Sequence, residues 1–312
     1  MPRPRPSGES DATPAPRDDG EEPSPWERRV RAVAGVVAPT TVLTALMVYF
    51  GYVYEWAYYD YFGVDLASLQ LSNQDLLLTS IAALYVPIGA LFALGIAATW
   101  AHNAVLAATR VSDRARRVRA TSIVTVCVGL LVFLRGVYGI VVPDVARSEP
   151  IAVSPACLGG GAVLVAYGRY LYRMVTPLAD PSPGSVARVT RNWAETAGTF
   201  MVAGILVLSL FWAANSAASA FGRGDAATTV EHIMERPGII LDTTEQLNID
   251  VPGLSEYSLP GPTFRYRYRG LRLLTQTDDK LFVLTDQWDR STSPTLVIPN
   301  KDNIRLAFLP GR

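Results

Sequence analysis

The sequence predicts an all-α, five-helix membrane bundle followed by a small, mainly β domain at the C-terminal end. Of the 312 residues, 49% are hydrophobic and only 18% are charged. The apolar residues cluster into five runs of about 18 to 25 residues, long enough for a helix to cross about 30 Å of hydrocarbon. The predicted spans are residues 33–54, 74–100, 121–142, 151–171 and 197–221. From residue 222 onward the apolar residues alternate with polar ones, which is typical of strands.

The first 27 residues are predicted to form a disordered cytoplasmic tail. Seven prolines lie within residues 1–25, between glycine, serine and acidic residues. Such a segment buries too little apolar surface to offset its chain entropy. It also lacks the apolar core of a signal peptide, so the first span is expected to act as the membrane-targeting signal.

The predicted first span ends in a dense aromatic tract. Tyr and Trp favour the membrane interface, so the first interpretation is an aromatic belt. The alternative is a groove for a lipid headgroup or a glycan on the outer face. The tract consists of Tyr49, Phe50, Tyr52, Tyr54, Trp56, Tyr58, Tyr59, Tyr61 and Phe62.

Local signals mark the second and fourth spans. Ser72 and Asp75 have the spacing of a capping box at a helix start, and Pro87 predicts a kink. Two stripes of small residues, four apart, predict close helix packing, and Gly159-Gly160-Gly161 is assigned to the same role. The stripes are Gly89, Ala93 and Ala97, and Ala152, Ala156 and Gly160.

The arginines predict the orientation of the spans. Residues 108–119, ATRVSDRARRVR, carry five arginines and one acid between two apolar runs. With five spans, twelve arginines fall on one side, and the short loops of the other side hold only Arg147. The positive-inside rule then places the N-terminus in the cytoplasm and residues 222–312 outside the cell, in a plasma-membrane protein.

Arg135 is the one strong charge well inside a predicted span. A charge at mid-membrane costs at least about 2.5 kcal/mol, so we expect it to snorkel or to form a structural ion pair. A role in a ligand or ion path is the alternative. The candidate partners on the same predicted side are Glu55, Asp60 and Asp75.

The C-terminal residues predict a compact antiparallel sheet or a partly open barrel. We expect a short helix over residues 228–236, a strand over 238–241 and an irregular stretch to 262. Residues 264–269 alternate strictly, and the phase changes at Gly270, which predicts a bulge. Two hairpins follow, 271–275 with 280–285 and 296–298 with 304–308.

Arg265, Arg267 and Arg269 lie on one face of the alternating strand. They are a candidate binding face for an anionic polymer or for lipid headgroups. The favoured alternative is a solvated face paired with acids such as Asp278 and Asp279, because residues 222–312 contain 11 basic and 12 acidic residues.

The sequence contains no catalytic motif that we can identify, and we expect neither a metal nor another cofactor. The two histidines, His102 and His232, are predicted to lie on opposite sides of the membrane. Cys127 and Cys157 are interpreted as packing residues. The formal net charge of zero argues against a nucleic-acid partner.

The tract YFGVDLASLQLSNQDLLLTS and the closing pattern YRYRGLRLL…LFVL…W…TLVIP…IRLAF resemble those of uncharacterised multi-span membrane proteins of actinobacteria. The resemblance implies a bacterial setting and no particular activity. The expected function is display of an extracytoplasmic domain for binding, sensing or assembly. The lipid bilayer is the expected partner, with a protein, glycan or lipid ligand outside. The alternative is a transporter or channel component that uses Arg135 and the outer acids.

Overall fold

In the part of the chain that the structure describes, five long α-helices precede a six-stranded antiparallel sheet. The computed structural model describes residues 25–108, 114–142, 144–145, 149–150, 152–176, 186–300 and 303–311. Most of the predicted disordered tail, residues 1–24, lies outside this range, as do residues 109–113 of the arginine-rich stretch. The chain divides into two units, residues 1–45 and 46–312, and all contacts below lie within the second.

The helices are long relative to the predicted spans. They are α1 (Pro25–Tyr61), α2 (Asn73–Ala108), α3 (Arg114–Val141), α4 (Val153–Val175) and α5 (Val186–Glu231). Short 3-10 helices follow α1 at Leu66–Leu69 and α5 at Ile233–Glu235. The predicted helix over 228–236 is therefore the end of α5 and the 3-10 helix after it.

Among the described residues, three helices contain segments long and apolar enough to cross a membrane. These segments are Leu84–Ala107, Arg116–Val141 and Trp193–Glu231, and they overlap the predicted second, third and fifth spans. By their length and composition, they indicate that the protein is associated with a membrane. The count of five spans is not confirmed, and the spans at 33–54 and 151–171 stay predictions.

Helices α3 and α4 pack closely along a row of small residues. A Cβ on Gly136 would lie 2.5 Å from the backbone N of Leu158, and one on Gly161 would lie 2.6 Å from the Cα of Phe133. Each helix repeats its small residue every seven positions, or about two turns, which keeps the row on one face. The two rows are Ser122, Gly129 and Gly136, and Ser154, Gly161 and Gly168.

The expected close packing is thus present, but both predicted stripes were wrong in position. A Cβ on Gly160 or on Gly89 would meet no described atom within 4 Å. The glycine of the Gly159–Gly161 run that faces α3 is Gly161, one position beyond the predicted stripe.

Helices α1 and α5 run parallel to each other. Tyr49 stacks on Phe211, with ring centroids 5.2 Å apart, and donates a hydrogen bond to Oδ1 of Asn215 at 3.1 Å. One turn or more along both helices, Tyr54 reaches Asp225 and Tyr58 reaches Thr229. The pairs follow the same order on both helices, so the two helices point in the same direction.

The sheet contains β1 (Gly238–Thr243), β2 (Ser255–Ser258), β3 (Tyr266–Gln276), β4 (Lys280–Thr285), β5 (Leu296–Pro299) and β6 (Ile304–Leu309). Its order is β5-β4-β3-β1-β6, and β2 pairs with the first half of β3. Strand β2 lies in the stretch that was expected to be irregular.

The bulge at Gly270 and the first hairpin are confirmed. Gly270 has a φ of +89°, and the register between β1 and β3 shifts where Arg269 and Gly270 lie opposite one residue of β1. The bulge separates the part of β3 that pairs with β2 from the part that pairs with β4.

The second predicted hairpin was wrong. Strand β5 pairs with β4, and β6 pairs with β1, so the two lie at opposite edges of the sheet. Their short separation in sequence suggested a direct pairing. Strand β6 instead pairs with β1 over six residues, Ile304–Leu309 with Gly238–Thr243.

Strand β4 is buried on both of its faces. Its alternate residues Leu281 and Val283 belong to one hydrophobic cluster, with β1 and β3, while Phe282 and Leu284 belong to another. The second cluster includes residues that follow α1 and residues at the end of α5. The sheet therefore shares a core with the ends of two helices. The residues of this shared core are Tyr59, Phe62, Val64, Leu66, Leu69, Ala226, Ile233, Leu274, Phe282, Leu284 and Trp288.

Candidate functional site

A network of polar side chains lies at the junction between the helices and the sheet. Tyr58 links three elements, because its hydroxyl lies 3.1 Å from that of Thr229 on α5 and accepts a hydrogen bond from Nη2 of Arg236 at 2.6 Å. One turn earlier on α1, the Tyr54 hydroxyl donates to Asp225. These bonds join α1 to the last turns of α5 and to the segment that enters the sheet.

Arg272 of β3 fixes the sheet to the end of α5. Its Nε donates to Oδ1 of Asp286 at 2.6 Å, and its Nη1 donates to the carbonyl oxygens of Met234 and Arg236 at 3.1 and 3.0 Å. The side chain is buried, and its planar guanidinium presents donors that match several acceptors at once. Arg272 thus satisfies carbonyl groups of the 3-10 helix that would otherwise lack partners.

The aromatic tract divides between the core and the exposed surface. Phe50, Tyr54, Tyr59 and Phe62 are buried inside the protein, whereas Tyr49, Tyr52 and Trp56 are exposed. Phe62 packs against Trp288 of the domain, with ring centroids 5.1 Å apart. The belt interpretation therefore applies at most to the exposed members. Tyr59 and Phe62 belong to the shared core, whereas Tyr54 packs with Ala218 of α5 and Phe50 packs against Phe211 of α5.

The three arginines of the candidate anion-binding face have different surroundings. Arg267 donates to both carboxylate oxygens of Asp242, from Nε at 2.7 Å and from Nη2 at 3.0 Å. Arg269 lies over the ring of Tyr257, 5.8 Å from its centroid. Arg265 is exposed, and its backbone N–H bonds to Thr243. Two exposed guanidiniums, those of Arg265 and Arg269, are therefore presented on this side of the domain.

The acid that pairs with this face is Asp242, not the expected Asp278 or Asp279. Asp242 lies directly opposite Arg267 on β3 and Arg305 on β6, and its side chain is only 4% exposed. Hydrogen bonds from Arg267, and also from Arg305, hold the pKa of the Asp242 carboxyl below its usual range, although burial opposes them. The signal in the sequence is a single acid at the end of the apolar strand GIILDT.

Arg135 forms an ion pair with Glu149, which follows α3 in the chain. The other carboxylate oxygen of Glu149 accepts a hydrogen bond from the Ser154 hydroxyl of α4 at 2.9 Å. The pair therefore ties α3, the connection after it and the start of α4 together. Glu149 was not among the predicted partners, all of which lie near the first two spans, and it is 14 positions from Arg135 in the chain.

The three predicted partners of Arg135 lie elsewhere. Glu55 accepts a hydrogen bond from the Thr79 hydroxyl at 2.7 Å. Asp75 forms the expected capping box with Ser72: its carboxylate accepts from the Ser72 backbone N–H at 3.0 Å, and its own N–H donates to the Ser72 hydroxyl at 3.2 Å. Asp60 is exposed near the end of α1.

The remaining candidate ligands do not form a group. Within the part of the chain that the structure describes, no three or more His, Cys, Asp or Glu side chains are placed to hold a metal ion. Nδ1 of His102 on α2 lies 2.9 Å from the hydroxyl oxygen of Tyr167 on α4, so this contact connects the two helices. Cys127 and Cys157 are free cysteines.

No family model, no curated protein and no solved structure matches this chain. The resemblance to actinobacterial membrane proteins therefore stays an expectation from the quoted tracts, and the functional argument depends on the geometry alone.

Proposed function

We propose that this chain is a multi-pass plasma-membrane protein that holds its C-terminal β-rich domain outside the cell. There the domain binds, senses or assembles with a protein, glycan or lipid partner. The observation that carries the proposal is the shared core, in which Tyr59 of α1, with Phe62 and Leu69 after it, packs with Phe282 and Trp288 of the domain.

A shared core couples the domain mechanically to α1 and α5. Side chains in a close-packed core have few alternative arrangements, so a displacement at the sheet is transmitted to the helix ends. The hydrogen bonds of Tyr58 and Arg272 across the junction add to this coupling. A domain on a flexible linker would bind a ligand without affecting the membrane part. The shared core therefore fits sensing or assembly better than simple ligand capture.

The distribution of charge supports the orientation. Arg119 at the start of α3 lies against Tyr172 near the end of α4, so the basic ends of these helices are neighbours. Helices α1 and α5 point in the same direction. Because consecutive spans alternate in direction, this agrees with an odd number of spans when α1 and α5 are both counted. An odd number of spans would place the N-terminus and the domain on opposite sides of the membrane. The positive-inside rule, applied to the arginine count, then favours a cytoplasmic N-terminus and an external C-terminal domain.

Reporter fusions test the orientation. An alkaline phosphatase fused after Arg312 is expected to be active, because the enzyme requires export. The same reporter inserted near Ala115 is expected to be inactive. The opposite pattern would place the domain in the cytoplasm and overturn the proposal.

Arg265 and Arg269 are the residues that we expect to meet an anionic ligand. The full chain in nanodiscs would be tested for binding to heparin, a soluble polyanion, with neutral dextran as its control. Arg265→Gln and Arg269→Gln should each weaken heparin binding severalfold. Arg223→Gln removes the same charge from an exposed site on α5 and should have little effect. Equal binding of heparin by all four proteins would remove this face from the proposal.

One observation favours the transporter or channel alternative. Nη1 of Arg135 is buried and has no hydrogen-bond partner among the described residues. Unpaired buried donors are uncommon and can mark a functional group. Arg135→Leu should then abolish an ion or solute flux measured in proteoliposomes. Unchanged flux, folding and assembly would leave Arg135 with only its structural pairing to Glu149.

A further inference from the structure

A cavity of about 300 Å³ lies between α3 and α4 at the end where their arginines gather. This volume is at the lower end of the range of about 300 to 1,000 Å³ for ligand sites in proteins. One wall is apolar and is formed by Ile123, Val126 and Cys127 of α3. These α3 residues belong to Arg116–Val141, a segment long and apolar enough to cross a membrane.

Arginines from both helices border the cavity. Arg169 and Arg173 of α4 line it, together with Tyr172. Arg119 of α3 is held beside them, because its guanidinium lies 5.7 Å from the centroid of the Tyr172 ring and its Nη2 lies 3.5 Å from the Tyr172 hydroxyl. We call these three arginines the rim: Arg169 and Arg173 line the cavity, and Arg119 lies beside it against Tyr172.

The rim carries an excess of positive charge. Arg173 is 3.3 Å from a carboxylate oxygen of Glu195 on α5. No acid pairs with Arg169 or Arg119 among the described residues, and both are exposed. Of the three arginines, only Arg173 has an acid partner among the described residues, which leaves the charges of Arg119 and Arg169 for a ligand at the entrance of the apolar groove.

We propose that this groove binds an anionic phospholipid of the surrounding membrane. The phosphate lies at the rim formed by Arg119, Arg169 and Arg173, and an acyl chain lies along Ile123, Val126 and Cys127. Basic pockets between membrane helices suit anionic headgroups because the phosphate is held by charge and the chain by apolar contact. The inference depends on membrane association and not on the function of the β-rich domain.

Native mass spectrometry of the full chain in a neutral detergent tests the inference. The probes are phosphatidylglycerol and phosphatidylcholine with identical acyl chains, at equal concentration. One phosphatidylglycerol is expected to remain bound in clear excess over phosphatidylcholine. Arg169→Gln should reduce this occupancy about fivefold, the effect of one basic residue at a membrane surface. Arg169→Lys should retain most of it, because the charge remains.

Arg223→Gln is the matched control, since it removes one exposed arginine far from the groove in sequence. It should leave the occupancy unchanged. Arg119→Gln provides a second variant if Arg169→Gln does not yield monodisperse protein. Equal retention of the two lipids, or equal losses in Arg169→Gln and Arg223→Gln, would overturn the inference. Displacement of the lipid by millimolar inorganic phosphate would show a site for free phosphate and would also overturn it.

Discussion

Asp242 shows how one buried charge can organise an edge of the sheet. It lies between β3 and β6 and receives hydrogen bonds from Arg267 and Arg305, which are 29% and 56% exposed. Because the arginines keep contact with water while the acid does not, most of the desolvation cost falls on Asp242. The ion pairs offset that cost and join three strands.

Asp242→Asn should lower the free energy needed to open the domain by about 2 kcal/mol. The reason is that the charge-assisted hydrogen bonds are weakened and two arginines lose their counter-ion. Hydrogen-exchange mass spectrometry of a peptide covering β4 in the full chain would measure this. Asp278→Asn, at an exposed position in the turn before β4, is the control and should change the value by less than about 0.5 kcal/mol. Equal effects would contradict the role of Asp242.

The same carboxyl predicts a pH dependence. An unfolded Asp has a pKa of about 3.9, and the folded value of Asp242 is lower. Its stabilisation is therefore fully present above about pH 4 and is lost as the pH falls through the folded pKa. Urea unfolding between pH 7 and pH 2 should show a steeper loss of stability below pH 4 for the natural chain than for Asp242→Asn. Identical curves would exclude Asp242 as the titrating group.

Arg135 and Glu149 should behave as a coupled pair. Arg135→Gln and Glu149→Gln are each expected to lower stability by about 1 kcal/mol, because the pair is partly exposed. The double variant should cost little more than either single variant, which a double-mutant cycle on thermal unfolding would detect. Additive losses would indicate that the two side chains act independently.

At the scale of elements, the α3–α4 pair depends on glycines that allow two backbones to approach. Gly161→Ala should cost about 1 to 3 kcal/mol, because the new methyl would lie 2.6 Å from the Cα of Phe133 and 2.8 Å from the carbonyl oxygen of Gly129. Its neighbour offers an internal control. Gly160→Ala meets no described atom within 4 Å and should be neutral or slightly stabilising, since alanine favours helix. Thermal unfolding in detergent would separate the two, and equal effects would contradict the packing.

Strand pairing was the least predictable feature among the elements. Alternation located β1, β3 and β4 and the bulge at Gly270, because these depend on local side-chain periodicity. The partner of each edge strand is a long-range choice, and β6 pairs with β1 across more than 60 residues of sequence. Proximity in sequence wrongly favoured pairing of β5 with β6.

At the scale of the whole molecule, the shared core makes the sheet dependent on residues that follow α1. Phe62 is 3% exposed and contacts Trp288, although it lies about 200 positions before the sheet. Phe62→Ala should therefore lower the free energy of opening of β4 by about 3 to 4 kcal/mol. Tyr52→Ala, at an exposed position on α1, should have little effect on the same exchange measurement. Similar losses in both would contradict a shared core.

The same dependence predicts the behaviour of a fragment. Residues 222–312 alone lack Tyr59, Phe62, Val64, Leu66 and Leu69, so one face of β3 and β4 would be exposed to water. We expect this fragment to aggregate or to unfold without a cooperative transition. A sigmoidal urea curve from monomeric fragment would show that the domain folds independently. Binding assays should accordingly use the full chain.

The sequence by itself determined the apolar segments of three spans, the capping box at Ser72 and Asp75, and the period-two strands with their bulge, because each depends on neighbours within about ten residues. Only the tertiary structure decided that Asp242 pairs with Arg267 and Arg305, that Arg135 meets Glu149, and that the aromatic tract is divided between a core and an exposed face. These contacts join residues 14 or more positions apart, beyond the range of local sequence patterns, and their free energies arise only when packing removes the groups from water.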